Sequence, residues 1–393
     1  MRVHGASFWT RERSFVERRA TIDPQKQLCH NPDCPARGKR GEGNIRRLSR
    51  KEKRYRCVIC GQTFVATKGT PFYRLQTGAD LVTIVLTLLC HGCPPQAIVE
   101  AFGFDERTVA NWQRRAGGHC RAVHEHVVQQ GAVDLQHVQA DELWVKMVGR
   151  RVWMAMAIAV PYRFWLGGVI SPRRDLVLIT SLVQMVRSCG TSPAILVCVD
   201  GLSSYVTAFL RVFRRPVRTG RKGRPRLVLE RGLLLGQVVK QHTQRRVVSV
   251  SRRIVRGTPE AIVAALVVSG GGTSINTAYI ERLNATFRSA LAVLVRRGRA
   301  IAHKELMLTA GMYLVGCAYN FCWYHQSLRL AAPEGAGHKW QQRTPAMAAG
   351  LTDHRWAMQE LLQYQIPLPA WVAPKRRGRP SKQTYEPARA KAA

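Results

Sequence analysis

"PAILVCVD", residues 193–200, is a run of five apolar residues from Ile195 to Val199, opened by a proline and an alanine and closed by an acid. An unbroken apolar run of that length, rich in β-branched residues, predicts a central strand covered on both faces. The stretches on either side of it, "DLVLITSLVQMVRSCG" (175–190) and "GLSSYVTAFLRVF" (201–213), carry helical spacing. Further upstream, "QHVQADELWVKMV" (136–148), "RVWMAMAIAV" (151–160) and "RFWLGGVIS" (163–171) read as three strands joined by short turns. Three strands, a helix, a buried strand and a second helix predict an α/β domain built on a mixed sheet.

Two acids stand out on this scaffold. Asp200 ends the buried strand and Asp141 falls in the middle of the first one. The functional crevice of an open α/β sheet lies outside the carboxyl ends of its strands, and neighbouring central strands would bring the two acids together. Carboxylates that close repel each other unless a cation intervenes, and a divalent ion such as Mg²⁺ or Mn²⁺ suits an oxygen-only donor set. The competing reading makes them structural acids that cap a turn and a helix. In "NTAYIERLNATFR" (276–288), Ile280, Leu283 and Phe287, continued by Leu291 and Leu294, form the apolar face of a helix. Glu281 sits at the edge of that face, where it is expected to lean toward the two aspartates.

The chain has 61 Lys and Arg against 24 Asp and Glu, a formal charge of +37 and a pI near 11.0. A surface so basic attracts a polyanion, and a typical metabolic enzyme gains nothing from it. Because the cations are spread along the whole length, nucleic acid is favoured over a membrane surface. The longest apolar run, 152–170, is broken by Pro161, Tyr162 and Arg163, which fits two strands better than a membrane span. "MRVHGASFWTRERSFVERR" at the start lacks the apolar stretch of a signal peptide, so a cytoplasmic, nucleoid-associated protein is expected.

Cys29 and Cys34 in "CHNPDC", with Cys57 and Cys60 in "CVIC", form two close pairs separated by 22 residues. Four thiolates so spaced can enclose one structural Zn²⁺. The basic residues between the pairs predict a zinc ribbon with a DNA-facing surface. Next, Asp80 is expected to cap a helix "LVTIVLTLLC", followed by "PPQAIVEAFG" and "DERTVANWQRRAG" around Gly103. With Ala97, Val99 and Val109 facing inward, this reads as a helix-turn-helix, leaving Arg107, Thr108, Asn111, Gln113 and Arg114 to face a groove. Cys90, Cys93, His119, Cys120, His124 and His126 are better explained as capping and core residues than as a second zinc site.

Residues 214–256 carry fourteen Lys or Arg against one acid, Glu230, and read as an inserted segment that contacts phosphates. Within it, "RKGRPR" (221–226) has a near copy in "KRRGRPSK" (375–382). A Gly-Arg-Pro core in a basic setting is the pattern of an AT-hook, which would lay Arg224, and in the second copy Arg377 and Arg379, into a narrow minor groove. "AHKELMLTAGMYLVGCAYNFCWYHQSLR" (302–329) suits a long helix that ends in a turn, and the residues after Pro367 suit a disordered basic tail.

Taken in order, "ADELW", "CVDGLSSY", "NTAYIERLNATFR", "AYNFCWYHQSLR" and "RTPAMAAGLTDHRW" resemble the DDE transposases of bacterial insertion sequences, closest to the insertion-sequence-one type. "CHNPDC" and "RYRCVICGQTF" are similar to the zinc ribbons that open such enzymes. The resemblance implies a ribonuclease-H-like core in which Asp141, Asp200 and Glu281 hold two Mg²⁺ or Mn²⁺ ions. It also implies DNA contacts by Arg288, while Arg282 belongs to the DNA-facing remainder of the same helix. The expected activity is cleavage at element ends to give 3′-hydroxyls, followed by their transfer into target DNA by a homo-oligomer assembled on double-stranded DNA. A non-catalytic DNA-binding regulator, and a nuclease that cuts without joining, are the alternatives.

The implied plan is a zinc ribbon (1–70), a helix-turn-helix (78–118), and a catalytic domain (134–330) with a basic insertion (214–270). A C-terminal helical segment (331–366) and a basic tail (367–393) complete it. The arginine-rich insertion departs from the family pattern.

Overall fold

The computed structural model describes residues 23–373, apart from 219, 221–222, 245, 296–299, 334–336 and 338. The described residues divide into two compact units, one of 23–68 together with 367–373, the other Gly69–Ile366.

In the first unit, β1 (Ile45–Ser49), β2 (Arg54–Cys57) and β3 (Thr63–Val65) form an antiparallel sheet in that order. Its core is small. Cys29, Cys34 and Cys57 share it with Ile45, Tyr55 and Phe64. A segment burying so little apolar surface needs a covalent or metal staple to hold its shape. Part of the expected tail belongs to this unit, because Leu368 packs against Gly38, whose left-handed backbone (φ +73°) leaves no space for a Cβ. Arg377 and Arg379 lie outside the described residues.

The second unit opens with α1 (Ala79–Cys90), α2 (Pro95–Phe102) and α3 (Glu106–Val127). Gly103, in the left-handed region at φ +68°, ends α2, and the Asp105 side chain accepts from the Arg107 N–H to start α3. Two local expectations are corrected. Gly78 precedes α1, and Asp80 lies within its first turn, accepting from Gln359 instead of capping. On α2, Ile98 is buried and Ala97 exposed, because the 3.6-residue period rotates Ala97 off the core face.

A larger correction concerns the boundary expected after residue 118. The third helix runs on to Val127 and packs along α8 (Glu305–Cys317), so the three helices share one hydrophobic core with the sheet. Gly117 allows this approach, since a Cβ there would meet the Ala310 backbone at 2.3 Å. The C-terminal segment joins the same core through Trp356, Leu361 and Leu362.

β4 (His137–Met147), β5 (Arg150–Ala159) and β6 (Phe164–Ser171) form an antiparallel meander, α4 spans Leu176–Cys189, β7 spans Ile195–Asp200 and α5 spans Ser203–Val212. The basic block holds a hairpin, β8 (Arg214–Val217) with β9 (Arg226–Leu229), followed by β10 (Leu233–Thr243) and β11 (Arg246–Arg256). This block is not merely an insertion, because β10 and β11 complete a six-stranded sheet in the order β11-β10-β7-β4-β5-β6. The apolar start of β10, "LLLG", pairs in parallel with β7 and supplies what a central position needs. Gly223, Arg224 and Pro225 lie in the loop that joins β8 to β9, while residues 221 and 222 of the same motif lie outside the described residues. Glu230, the block's one acid, is buried and bonded to Arg187.

α6 (Pro259–Val268) and α7 (Ala278–Ala290) follow. Glu305–Leu328 is long and apolar enough to cross a membrane, yet the apolar 18-residue window within it is 78% buried inside the fold. The long helix expected there stops being α-helical at Cys317, because Ala318–Cys322 form a π-helical turn.

Candidate metal centres and nucleic-acid contacts

β4 and β7 run in parallel with Ala140 opposite Val199, so one further step along both strands sets Asp141 beside Asp200. Ligand oxygens of Asp141, Glu142 and Asp200 lie within 4.8 Å of one another. The two neighbouring acids of β4 are reached from different elements. Asp141 Oδ2 accepts from Asn284 Nδ2 of α7 at 2.8 Å, and its Oδ1 from the Glu142 N–H at 2.9 Å. Glu142 Oε2 accepts from the Tyr205 hydroxyl of α5 at 2.7 Å, and its Oε1 from Arg174. Arg174 also reaches Asp200 at 3.5 Å while stacking on Trp153.

Burial, reinforced by the charges of Glu142 and Asp200, pushes the Asp141 carboxyl up to about 7. Glu142 is raised mainly by burial, against the pull of Tyr205 and Arg174. Three carboxylates this close are a hard-oxygen donor set, and a divalent cation would lower their mutual repulsion. The buried Asn284 Oδ1, without a hydrogen-bond partner, adds another acceptor beside them. The residues present therefore fit a hard cation.

Glu281 stands outside this group of ligand oxygens, although its charge is felt at Asp141. Its Oε1 accepts from Lys240 of β10 at 2.7 Å and from Thr277 at 2.9 Å. Partial burial would raise its carboxyl, but these two bonds hold it below the ordinary value. The helix that carries it is fixed to the sheet by Gln139, two residues before Asp141 on the same face of β4. Gln139 Oε1 accepts from the Tyr279 and Ile280 N–H groups, and its Nε2 donates to Asn276. Ile280, Leu283 and Phe287 form the expected buried face, but the helix stops at Ala290, so Leu291 caps it and Leu294 lies in the 3-10 turn that follows, both still buried.

Of the sequence-predicted acids, the structure thus brings Asp141 and Asp200 together and leaves Glu281 on an adjoining helix paired with a lysine. Sequence reasoning missed Glu142, Arg174, Tyr205, Gln139, Asn284 and Lys240. Only Glu142 carried a signal, as a second acid in a strand otherwise poor in charge. Strand alternation alone would send it to the opposite face from Asp141, so periodicity did not group the two, although their oxygens lie within 4.8 Å in the fold.

The second centre lies in the ribbon. Cys29 and Cys60 Sγ are 3.7 Å apart, and Cys34 and Cys57 Sγ are 3.8 Å apart. A tetrahedron with metal–sulfur bonds of about 2.3 Å has sulfur edges of about 3.8 Å, so the four thiols match a zinc-sized ion. Burial raises Cys29 and Cys34. Burial also works against ionisation of Cys60, yet hydrogen bonds from the Gln62 N–H, from Asn31 and from the neighbouring thiols bring it down to about 7. His119, Cys120 and His124 are buried core residues, with His119 bonded to the Leu361 carbonyl.

Among the expected DNA contacts, Arg107 and Arg114 are exposed while Thr108 and Asn111 are half-buried on α3. Arg114 donates to Asn111 at 2.8 Å. Arg107, Asn111 and Arg114 line a cavity of about 800 Å³ together with His303 and Lys304. Arg282 is exposed and Arg288 half-buried on α7, and Arg224 is exposed.

No protein-family description matches the chain, and no curated protein matches it either.

Proposed function

We propose that the chain is a DNA transposase with a ribonuclease-H-like core, which cleaves element ends to leave 3′-hydroxyls and joins them to target DNA. The observation that carries this reading is the placement of Asp141 and Asp200 side by side at the centre of the mixed sheet, with the Glu281 helix bonded directly to Asp141. Divalent ions held by these acids would activate water or a DNA 3′-hydroxyl and stabilise the leaving oxygen.

The chain's own residues prepare for that role. Asp141, raised to about 7, holds a proton near neutrality until a cation replaces it. Both oxygens of Glu142 are engaged, one by Arg174 and one by Tyr205, so Glu142 is assigned to positioning. It holds Arg174, which in turn holds Asp200. Glu281 has a side chain half exposed and an exchangeable lysine partner, and is assigned as the third carboxylate. The ribbon and α3 would hold the DNA ends, as surfaces with many arginines do.

The test is Mg²⁺-dependent cleavage and strand joining on DNA that carries the element's own ends. Asp141→Asn, Asp200→Asn and Glu281→Gln should each lower both activities about a thousand-fold or more, the scale lost with a group that acts in the transition state. DNA binding should persist in all three. Glu142→Gln should cost only about ten- to a hundred-fold, as outer-shell partners do. Full activity in any of the first three variants would remove the assignment. Cleavage by the wild type without joining of a pre-cut 3′-hydroxyl end would identify a nuclease instead.

A further inference from the structure

The segment "AYNFCWYHQSLR" has no part in the acid centre, and the structure shows where its side chains go. Asn320 is buried and pins β6, donating to the Trp165 carbonyl and accepting from the Trp165 N–H. The π-helical turn around it delivers Tyr319, whose hydroxyl donates to the Arg163 carbonyl at 2.8 Å. Arg163 occupies the β5–β6 turn in the left-handed region, at φ +51°. A non-glycine residue held there is unusual and is found preferentially where function requires it.

Tyr319 and Arg163 line a cavity of about 500 Å³. Arg163, Arg282 and Arg329 supply three guanidinium groups, and Tyr279, Tyr324 and His325 supply aromatic faces. The Arg163 guanidinium lies 4.1 Å from the centre of the Tyr279 ring. Burial and the charges of Arg163 and Arg282 keep His325 neutral over a wider range than usual. Cations alone would suit any anion. Cations interleaved with flat aromatic faces suit a ligand with a phosphate and a base, and the volume admits one nucleotide but no duplex.

Tyr279, Arg282 and Thr286 line the cavity from the same helix whose Asn284 bonds Asp141. The cavity and the acids are therefore separated by about one helix width, some 10 Å. We propose that this cavity is a binding site for a single unpaired nucleotide of a DNA strand, with its phosphate on the arginines and its base against Tyr324 and His325. The proposal rests on the reading that the chain works on DNA strands.

The test uses the full chain, with its ribbon metal retained, in buffer free of Mg²⁺ and Mn²⁺, so that it does not depend on cleavage. The probes are a 30-base-pair duplex of arbitrary sequence, blunt or with a three-nucleotide overhang containing 2-aminopurine. The overhang should bind about ten-fold more tightly than the blunt duplex, and its 2-aminopurine fluorescence should be quenched. Tyr324→Ala and His325→Ala should erase that preference and leave blunt-duplex binding unchanged, whereas Tyr324→Phe should keep it. Tyr324 is exposed, so its replacement leaves the fold intact. Free dAMP should compete with the overhang, and inorganic phosphate at the same concentration should not.

Equal binding of the two duplexes, a preference that survives both alanine variants, or equal competition by phosphate would each overturn the proposal. Asp141→Asn should retain the overhang preference. The pocket and the catalytic reading therefore fail separately.

Discussion

Asp141 is half-buried among three other carboxylates, Glu142, Asp200 and Glu281, and that setting makes the metal-free protein sensitive to pH. Its folded-state value is raised from 3.8 to about 7, so its contribution to stability is complete below about pH 4 and is lost as the pH rises to about 7. At 1.36 kcal/mol per unit the loss is on the order of a few kcal/mol. In buffer free of Mg²⁺ and Mn²⁺, Asp141→Asn should match the wild type near pH 4 and be more stable by that amount at pH 7.5, as measured by urea unfolding of the larger unit. Adding Mg²⁺ at pH 7.5 should stabilise the wild type and leave the variant unchanged. Parallel pH profiles for the two proteins would show that the carboxyl is not perturbed.

Among the elements, the ribbon depends most on a single contribution. Its apolar core is slight, and zinc binding to four thiolates contributes on the order of 10 kcal/mol in comparable small modules. If the four thiols hold zinc, Cys57→Ser should lose one zinc per chain and the hydrogen-exchange protection of β1–β3, while Gly69–Ile366 keeps the melting behaviour of its separate core. The cysteine spacing and the strand in "PAILVCVD" were legible because each follows from a local pattern. So were the meander and the apolar face of α7. Long-range pairing was not. The role of β10 was hidden because arginines dominate its neighbourhood, although its first four residues are as apolar as a central strand requires. Arg174 and Lys240, which pair with the acids, occupy positions where sequence periodicity carries no information about charge partners.

At the scale of the whole molecule, charge decides what the protein meets. β11 is an edge strand exposed or half-exposed along its length, and its Arg252, Arg253 and Arg256 discourage a second sheet from pairing there. If the net charge of +37 is directed at phosphates, DNA binding should weaken about 10³- to 10⁵-fold between 50 and 200 mM salt, as it does for six to ten phosphate contacts. A titration with little salt dependence would argue against DNA as the partner. The Gln139 strut has a consequence of another kind. Asp200 and Glu281 are 81 positions apart, yet the helix bearing Glu281 takes its position from a side chain on β4 and from the lysine of β10. The spacing of the acids is therefore insulated from the β8–β9 hairpin that lies along the path between them. Evolution or a protein engineer can lengthen, shorten or exchange that hairpin as an accessory, and the carboxylates will keep their places.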